Sequence, residues 1–103
     1  MSEIQIKNDE LRSLIPRLPH PHKVMLTAGV SCRPPEDILL ILTEIRNYNK
    51  FDESNDPYGE HDFGSFDYQE ETIFWKFDYY DDDFEYFKEN GNRVLTVMMG
   101  HEY

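Results

Sequence analysis

From Thr72 to Tyr79 the side chains alternate, with Ile73, Trp75, Phe77 and Tyr79 on one face of an extended segment and Thr72, Phe74, Lys76 and Asp78 on the other. A period of two with large apolar groups on one side reads as a strand whose Trp75 face is buried in a core, rather than as an exposed aromatic platform. The rest of the chain must therefore supply partner strands and a covering layer.

Candidates for both are present. Ser2 and Gln5 stand at capping-box spacing, and Ile4, Leu11, Leu14 and Ile15 lie near helical phase, which predicts an amphipathic helix over 2–15. Pro16, Pro19 and Pro21 break it, and Lys23 to Thr27, closed by Gly29, reads as a short strand. Pro34 and Pro35, followed by Glu36 and Asp37, suit a helix N-terminus. Ile38, Leu39, Ile41, Leu42 and Ile45 then form one broad apolar face reaching Tyr48.

A loop over Lys50 to Glu60 carries Asn55-Asp56-Pro57 and Gly59, all turn formers. His61 to Tyr68 reads as a strand with Gly64 marking a bulge. Gln69-Glu70-Glu71 turns into the alternating strand, and Arg93 to Met99 follows the Asn90-Gly91-Asn92 turn. Asp81 to Glu89 fits either one helical turn placing Phe84 beside Phe87 or an irregular acidic loop. The order α-β-α-β-β-β predicts one α+β domain over 1–103: two layers, an antiparallel sheet of about four strands, and two helices packed on one face.

Charge divides the chain. Of 103 residues, Lys and Arg number 10 and Asp and Glu 21, for a net charge of -11. Residues 1–50 hold 7 basic and 6 acidic side chains, residues 51–103 hold 3 and 15, and 14 of the 15 aromatic residues also lie in the second half. So acidic a chain would repel nucleic acid or an anionic membrane, but not a protein that itself binds nucleic acid. Such asymmetry marks an interaction surface, since solubility alone would be served by evenly spread charge. The single Cys32, the lack of cysteine pairs at zinc spacing, the absence of a long apolar run and the polar N-terminus predict a soluble cytoplasmic protein.

Catalytic chemistry finds residue types but no motif. Glu60-His61-Asp62 joins three possible metal ligands, with His20, His22 and His101 elsewhere, yet adjacent strand residues point to opposite faces. Asp62, Asp67, Glu71, Lys76 and Asp78 are the types a metal-dependent nuclease uses, without the acid-x-lysine spacing. Cys32 precedes two prolines with no partner His or Asn in a recognisable motif and reads as a small buried or half-buried thiol. Gly59 and Gly64 are isolated and form no phosphate loop. Asp81, Asp82 and Asp83, in contrast, are bordered by Tyr79, Tyr80, Phe84, Tyr86 and Phe87, and aromatic anchors among charges are typical of protein interfaces.

The segments Asn55-Asp56-Pro57-Tyr58-Gly59-Glu60-His61-Asp62-Phe63-Gly64, Phe74-Trp75-Lys76-Phe77-Asp78-Tyr79-Tyr80-Asp81 and Arg93-Val94-Leu95-Thr96-Val97-Met98, with the Glu102-Tyr103 ending, resemble a small bacterial family called domain of unknown function 3768. The resemblance runs over 23–103 and brings no established activity. It implies a cytoplasmic protein of bacteria, phages or plasmids, a setting in which small acidic proteins often inhibit host defence.

Together these features predict a non-enzymatic binding module, a DNA mimic whose Glu60, Asp62, Asp67, Asp78, Tyr80, Asp81, Asp82, Asp83, Glu85 and Tyr86 converge on one side. The expected partner is the basic surface of a nucleic-acid-binding protein, such as a CRISPR effector subunit or a restriction enzyme. No catalytic residue, metal or cofactor is expected, nor direct binding to nucleic acid or membrane, and the chain should be a monomer or weak dimer. Two alternatives stand beside this reading: a small metal-dependent hydrolase or nuclease using Glu60, His61, Asp62 and Asp78, and a housekeeping or toxin-antitoxin partner.

Overall fold

Ser2 opens the first helix as its spacing to Gln5 suggests: its Oγ accepts the Gln5 N–H at 3.0 Å, satisfying one of the free amides at the helix start. The structure is a computed structural model and describes residues 2–103. The elements run α1 (Glu3–Ser13), β1 (Lys23–Leu26), a single turn α2 (Ala28–Ser31), α3 (Pro35–Arg46), β2 (Phe63–Tyr68), β3 (Glu71–Tyr80), β4 (Asn92–Met99) and a 3₁₀ turn at Gly100–Glu102.

The fold is α+β with one four-stranded sheet, in the order β1-β4-β3-β2. Both hairpin pairings, β2 with β3 and β3 with β4, are antiparallel, but β1 runs parallel to β4, from Lys23 opposite Val94 to Leu26 opposite Val97. The sheet is thus mixed, which corrects the expectation of a purely antiparallel one. Strand direction leaves no mark on a four-residue apolar run; it is set by where the chain goes next. Glu102 ties the two strand exits together, its carboxylate accepting from Thr27 Oγ1 at 2.6 Å, Gly29 N at 2.9 Å and Met99 N at 2.8 Å. Gly29, expected to close the strand, instead lies inside α2.

The alternation in β3 is the core. Ile73, Trp75 and Phe77 are buried and face the same way as their β4 partners Met99, Val97 and Leu95. Over them lie Leu11 of α1, Val30 of α2, and Ile41, Leu42 and Ile45 of α3, so all the helices cover one face of the sheet. Gly64 is not a bulge: β2 pairs with β3 without interruption, and Gly64 sits opposite Trp75, where a Cβ would lie 2.6 Å from the indole Nε1. The β2–β3 turn uses Gln69 and Glu70, both at positive φ (50° and 67°), the backbone of a two-residue hairpin loop. Arg12 leaves α1 to cap α3, its buried Nη1 donating to the carbonyls of Ile45 at 2.9 Å and Tyr48 at 2.8 Å.

Candidate functional site

Because β3 runs antiparallel to β2, the loop that precedes β2 and the loop that follows β3 emerge at the same end of the sheet. Those two loops and the end of β3 carry Asp52, Glu53, Asp56, Glu60, Asp62, Asp78, Asp81, Asp82, Asp83, Glu85 and Glu89. Chain topology therefore concentrates most of the second-half charge at one end of the molecule.

The first loop is tied by its own side chains. Asp52 Oδ1 accepts from Ser54 N at 2.9 Å, Ser54 Oγ at 2.6 Å and Asn55 N at 3.1 Å; the Ser54 hydroxyl leads these bonds in holding the Asp52 carboxyl below its usual range. Asp56 Oδ1 accepts from Glu60 N at 2.9 Å and His61 N at 3.1 Å, closing a turn around Gly59, whose φ is +65°. His61 lies flat on Phe51, ring centroids 3.9 Å apart, with its Nδ1 2.9 Å from Asp9 Oδ1 of α1. Tyr58 at the tip is 84% exposed.

The second loop is irregular, which answers the question left by Asp81 to Glu89. Tyr80 forms an isolated bridge with Phe87, Asp81 N donates to Tyr86 O at 2.9 Å, and Asp81 Oδ1 accepts from Glu85 N at 3.0 Å. Phe84 does not meet Phe87. It packs near Tyr80 at 6.1 Å beneath the Lys23 ammonium, whereas Phe87 stands edge-on to Tyr79 at 6.4 Å. Tyr79 and Tyr80 leave β3 on opposite faces, so the two phenylalanines are divided by the sheet.

A buried polar network holds the two loops together. Asn8, fully buried on α1, donates from Nδ2 to Glu60 O at 3.0 Å and to the Tyr79 hydroxyl at 2.8 Å, and its Oδ1 accepts from Arg93 Nε at 2.9 Å. Tyr79 in turn donates to Asp62 Oδ2 at 2.9 Å, while the Arg93 guanidinium lies 4.8 Å from the Tyr79 ring centre. Burial, followed by the charges of Asp62, Asp56 and Glu89, raises the Glu60 carboxyl above its ordinary range. Asp62 is raised too, first by burial and then by Asp56 and Asp78, against the opposing Tyr79 bond. Carboxylates from separate stretches of sequence thus lie close enough to repel one another.

All but one of the predicted contact residues are gathered at one end, but not on one face. Asp62 turns toward Tyr79 and α1, while Asp78 lies on the open face of the sheet against Lys76 Nζ at 3.2 Å. Glu60, Tyr80, Asp81, Asp82, Asp83, Glu85 and Tyr86 belong to the same end. Asp67 does not. It pairs with Thr72 beside the β2–β3 turn, six residues along β3 from Asp78 and so about 20 Å away. The combination Glu60, His61, Asp62 and Asp78 is not assembled either: His61 faces Asp9, Asp62 faces Tyr79 and Asp78 faces Lys76. Among the described residues no group of three or more His, Cys, Asp and Glu side chains is placed to hold a metal ion. Cys32 is exposed rather than buried.

Sequence reasoning missed Asn8, Asp9, Arg12 and Arg93. One signal existed for Asn8: Ile4, Asn8, Leu11 and Ile15 follow a single helical stripe, so a polar group stood at an inward position.

The family model described as Protein of unknown function (DUF3768) matches residues 26–102. The chain belongs to this family. The DUF3768 segment takes in α2, α3 and strands β2 to β4, and with them both acidic loops; α1, which contributes Asn8, Asp9 and Arg12, lies outside it. No curated protein matches the chain, and no solved structure matches it. No helix among the described residues is long and apolar enough to cross a membrane.

Proposed function

We propose that this DUF3768 chain is a non-enzymatic, cytoplasmic protein-binding module whose acidic sheet end docks on the basic surface of a nucleic-acid-handling protein, in the place of nucleic acid. The observation that carries this reading is the shared emergence of the 50–62 and 81–91 loops at one end of the sheet. Carboxylates fixed by turns and strands stand in for phosphates against Arg and Lys, and their summed field accelerates encounter. Tyr58, Tyr86 and Phe87, exposed at 84%, 71% and 73%, supply apolar anchors among the charges. The narrower setting is inhibition of a defence protein, a CRISPR effector subunit or a restriction enzyme, by a protein of a phage or mobile element.

The test is competition. Purified restriction enzymes and CRISPR effector complexes carrying fluorescent DNA would be titrated with the chain and followed by anisotropy. At least one should release its DNA, and the Asp81→Asn, Asp82→Asn, Asp83→Asn triple variant should compete less well. If none releases DNA, or the triple variant competes equally, the reading falls.

A further inference from the structure

The two edges of the sheet are not built alike. β1, at one edge, is four residues long, follows Pro21 and opens on Lys23; a short strand, a proline and a lysine all discourage further pairing. β2, at the other edge, is six residues of regular strand with no proline, no lysine and no bulge in its register against β3. Its one charged side chain is Asp67, near the end.

Phase decides which of its backbone groups are free. Asp62 O accepts from Phe77 N at 2.8 Å, so this carbonyl points toward β3, and in an antiparallel ladder every second residue does the same. Gly64, Phe66 and Tyr68 therefore bond to β3, whereas the N–H and C=O groups of Phe63, Ser65 and Asp67 point outward, where no further strand lies. These outward groups are symmetric about Ser65. An antiparallel second copy with its two-fold axis at Ser65 sets Ser65 opposite Ser65 and Phe63 opposite Asp67, so that every outward group is used, in about six bonds. A shift of two residues either way leaves one of the three residues on each strand unpaired. The same register sets Phe66 of each copy beside Gly64 of the other, a bulky position against an empty one.

Charge is compatible with this arrangement. Because the paired strands run in opposite directions, the acidic ends of the two copies point away from each other. Each comes instead beside the β2–β3 turn of the other copy, where Glu70 is exposed to solvent and Glu71 is paired with Arg33.

We propose that the chain self-associates through β2, two copies joining antiparallel at Ser65 into one continuous sheet. The pairing does not rest on the docking reading, since it uses an edge of the sheet rather than the acidic end.

Sedimentation equilibrium from micromolar to millimolar protein, with amide hydrogen exchange at both extremes, tests it. The mass should rise toward that of a dimer with concentration. The Phe63, Ser65 and Asp67 amides should exchange at least about tenfold more slowly in the concentrated sample, while Gly64, Phe66 and Tyr68, bonded within each copy, should be protected in both. Ser65→Pro removes an outward N–H that the fold itself does not use, and Ser65→Lys sets two ammonium groups against each other at the axis. Each should weaken the dimer at least about tenfold. Thermal melts of dilute samples show whether the variants keep their fold; if proline does not, lysine carries the test, because its side chain stands on the open face of the sheet. A single monomeric species throughout, a dimer whose Phe63, Ser65 and Asp67 amides stay unprotected, or an undiminished dimer in Ser65→Lys would overturn the proposal.

Discussion

Tyr79 joins α1 to the acidic loop through a single oxygen: its hydroxyl donates to Asp62 Oδ2 at 2.9 Å while accepting from Asn8 Nδ2 at 2.8 Å. Removing that oxygen takes the donor from the Asp62 carboxylate and leaves the Asn8 amide with only its bond to Glu60 O, in a half-buried setting. Tyr79→Phe should therefore destabilise the fold by about 1–3 kcal/mol, the cost of stranded polar groups. Urea unfolding measures it, and an unchanged midpoint would show that Asp62 and Asn8 find other partners.

Glu60 makes a pH-dependent contribution of definite sign. Its folded pKa is raised by burial and by Asp62, Asp56 and Glu89, so the folded state holds this proton more tightly than the unfolded chain does. The group then costs stability as pH rises from the ordinary carboxylate range through the raised value. Glu60→Gln removes the ionisation, so it should raise the melting temperature at neutral pH, with the gain shrinking toward acid pH. A gain of equal size across the whole range would rule out the carboxyl's ionisation as its cause.

Two glycines should respond differently to alanine. Gly59 has φ +65° with nothing within 4 Å of an added Cβ, so Gly59→Ala should cost about 1 kcal/mol through the backbone alone. At Gly64 the added methyl would lie 2.6 Å from Trp75 Nε1 and 2.8 Å from Tyr48 Cε2. Gly64→Ala should cost about 1–3 kcal/mol by overpacking and shift the Trp75 emission. Calorimetry with fluorescence separates the two; an unmoved Trp75 spectrum in Gly64→Ala would contradict the close approach.

Asp81→Asn, Asp82→Asn and Asp83→Asn together remove three charges while keeping the oxygen that accepts from Glu85 N and the one that accepts from Asn92. The melting temperature should stay level or rise as self-repulsion eases. Binding to a basic partner should weaken mainly through a slower association rate, with a smaller salt dependence, since screening acts over about 8 Å at physiological ionic strength. Stopped-flow rates at two salt concentrations decide it: equal rates for both proteins would exclude this loop as the recognition element.

Periodicity made the core legible. Ile73, Trp75 and Phe77 alternate, Ile41, Leu42 and Ile45 repeat at helical spacing, and each pattern reports which side of an element is dry. The direction of β1 was not legible, because Lys23–Leu26 is too short to carry any sign of its neighbour. For the acidic end, composition located the charge but not its layout. It depends on which loops share an end of the sheet, and that follows only from the strand order that sets Asp67 far from Asp78. Arg93 and Arg12 read as solvated cations in a list of residues; their burial comes from acceptors that are remote in sequence, Asn8 for one and the end of α3 for the other.

The pairing of β1 with β4 also governs how the chain acquires its fold. An interior strand of the sheet is the last one made, and the first strand has no partner until it appears. Pairing Lys23 with Val94 closes a loop of 71 residues, a loop-closure cost that should slow the last step of folding. During synthesis the earlier elements wait for Asn92–Met99, and a chain stopped before that strand would not be a shortened protein but an unfolded one.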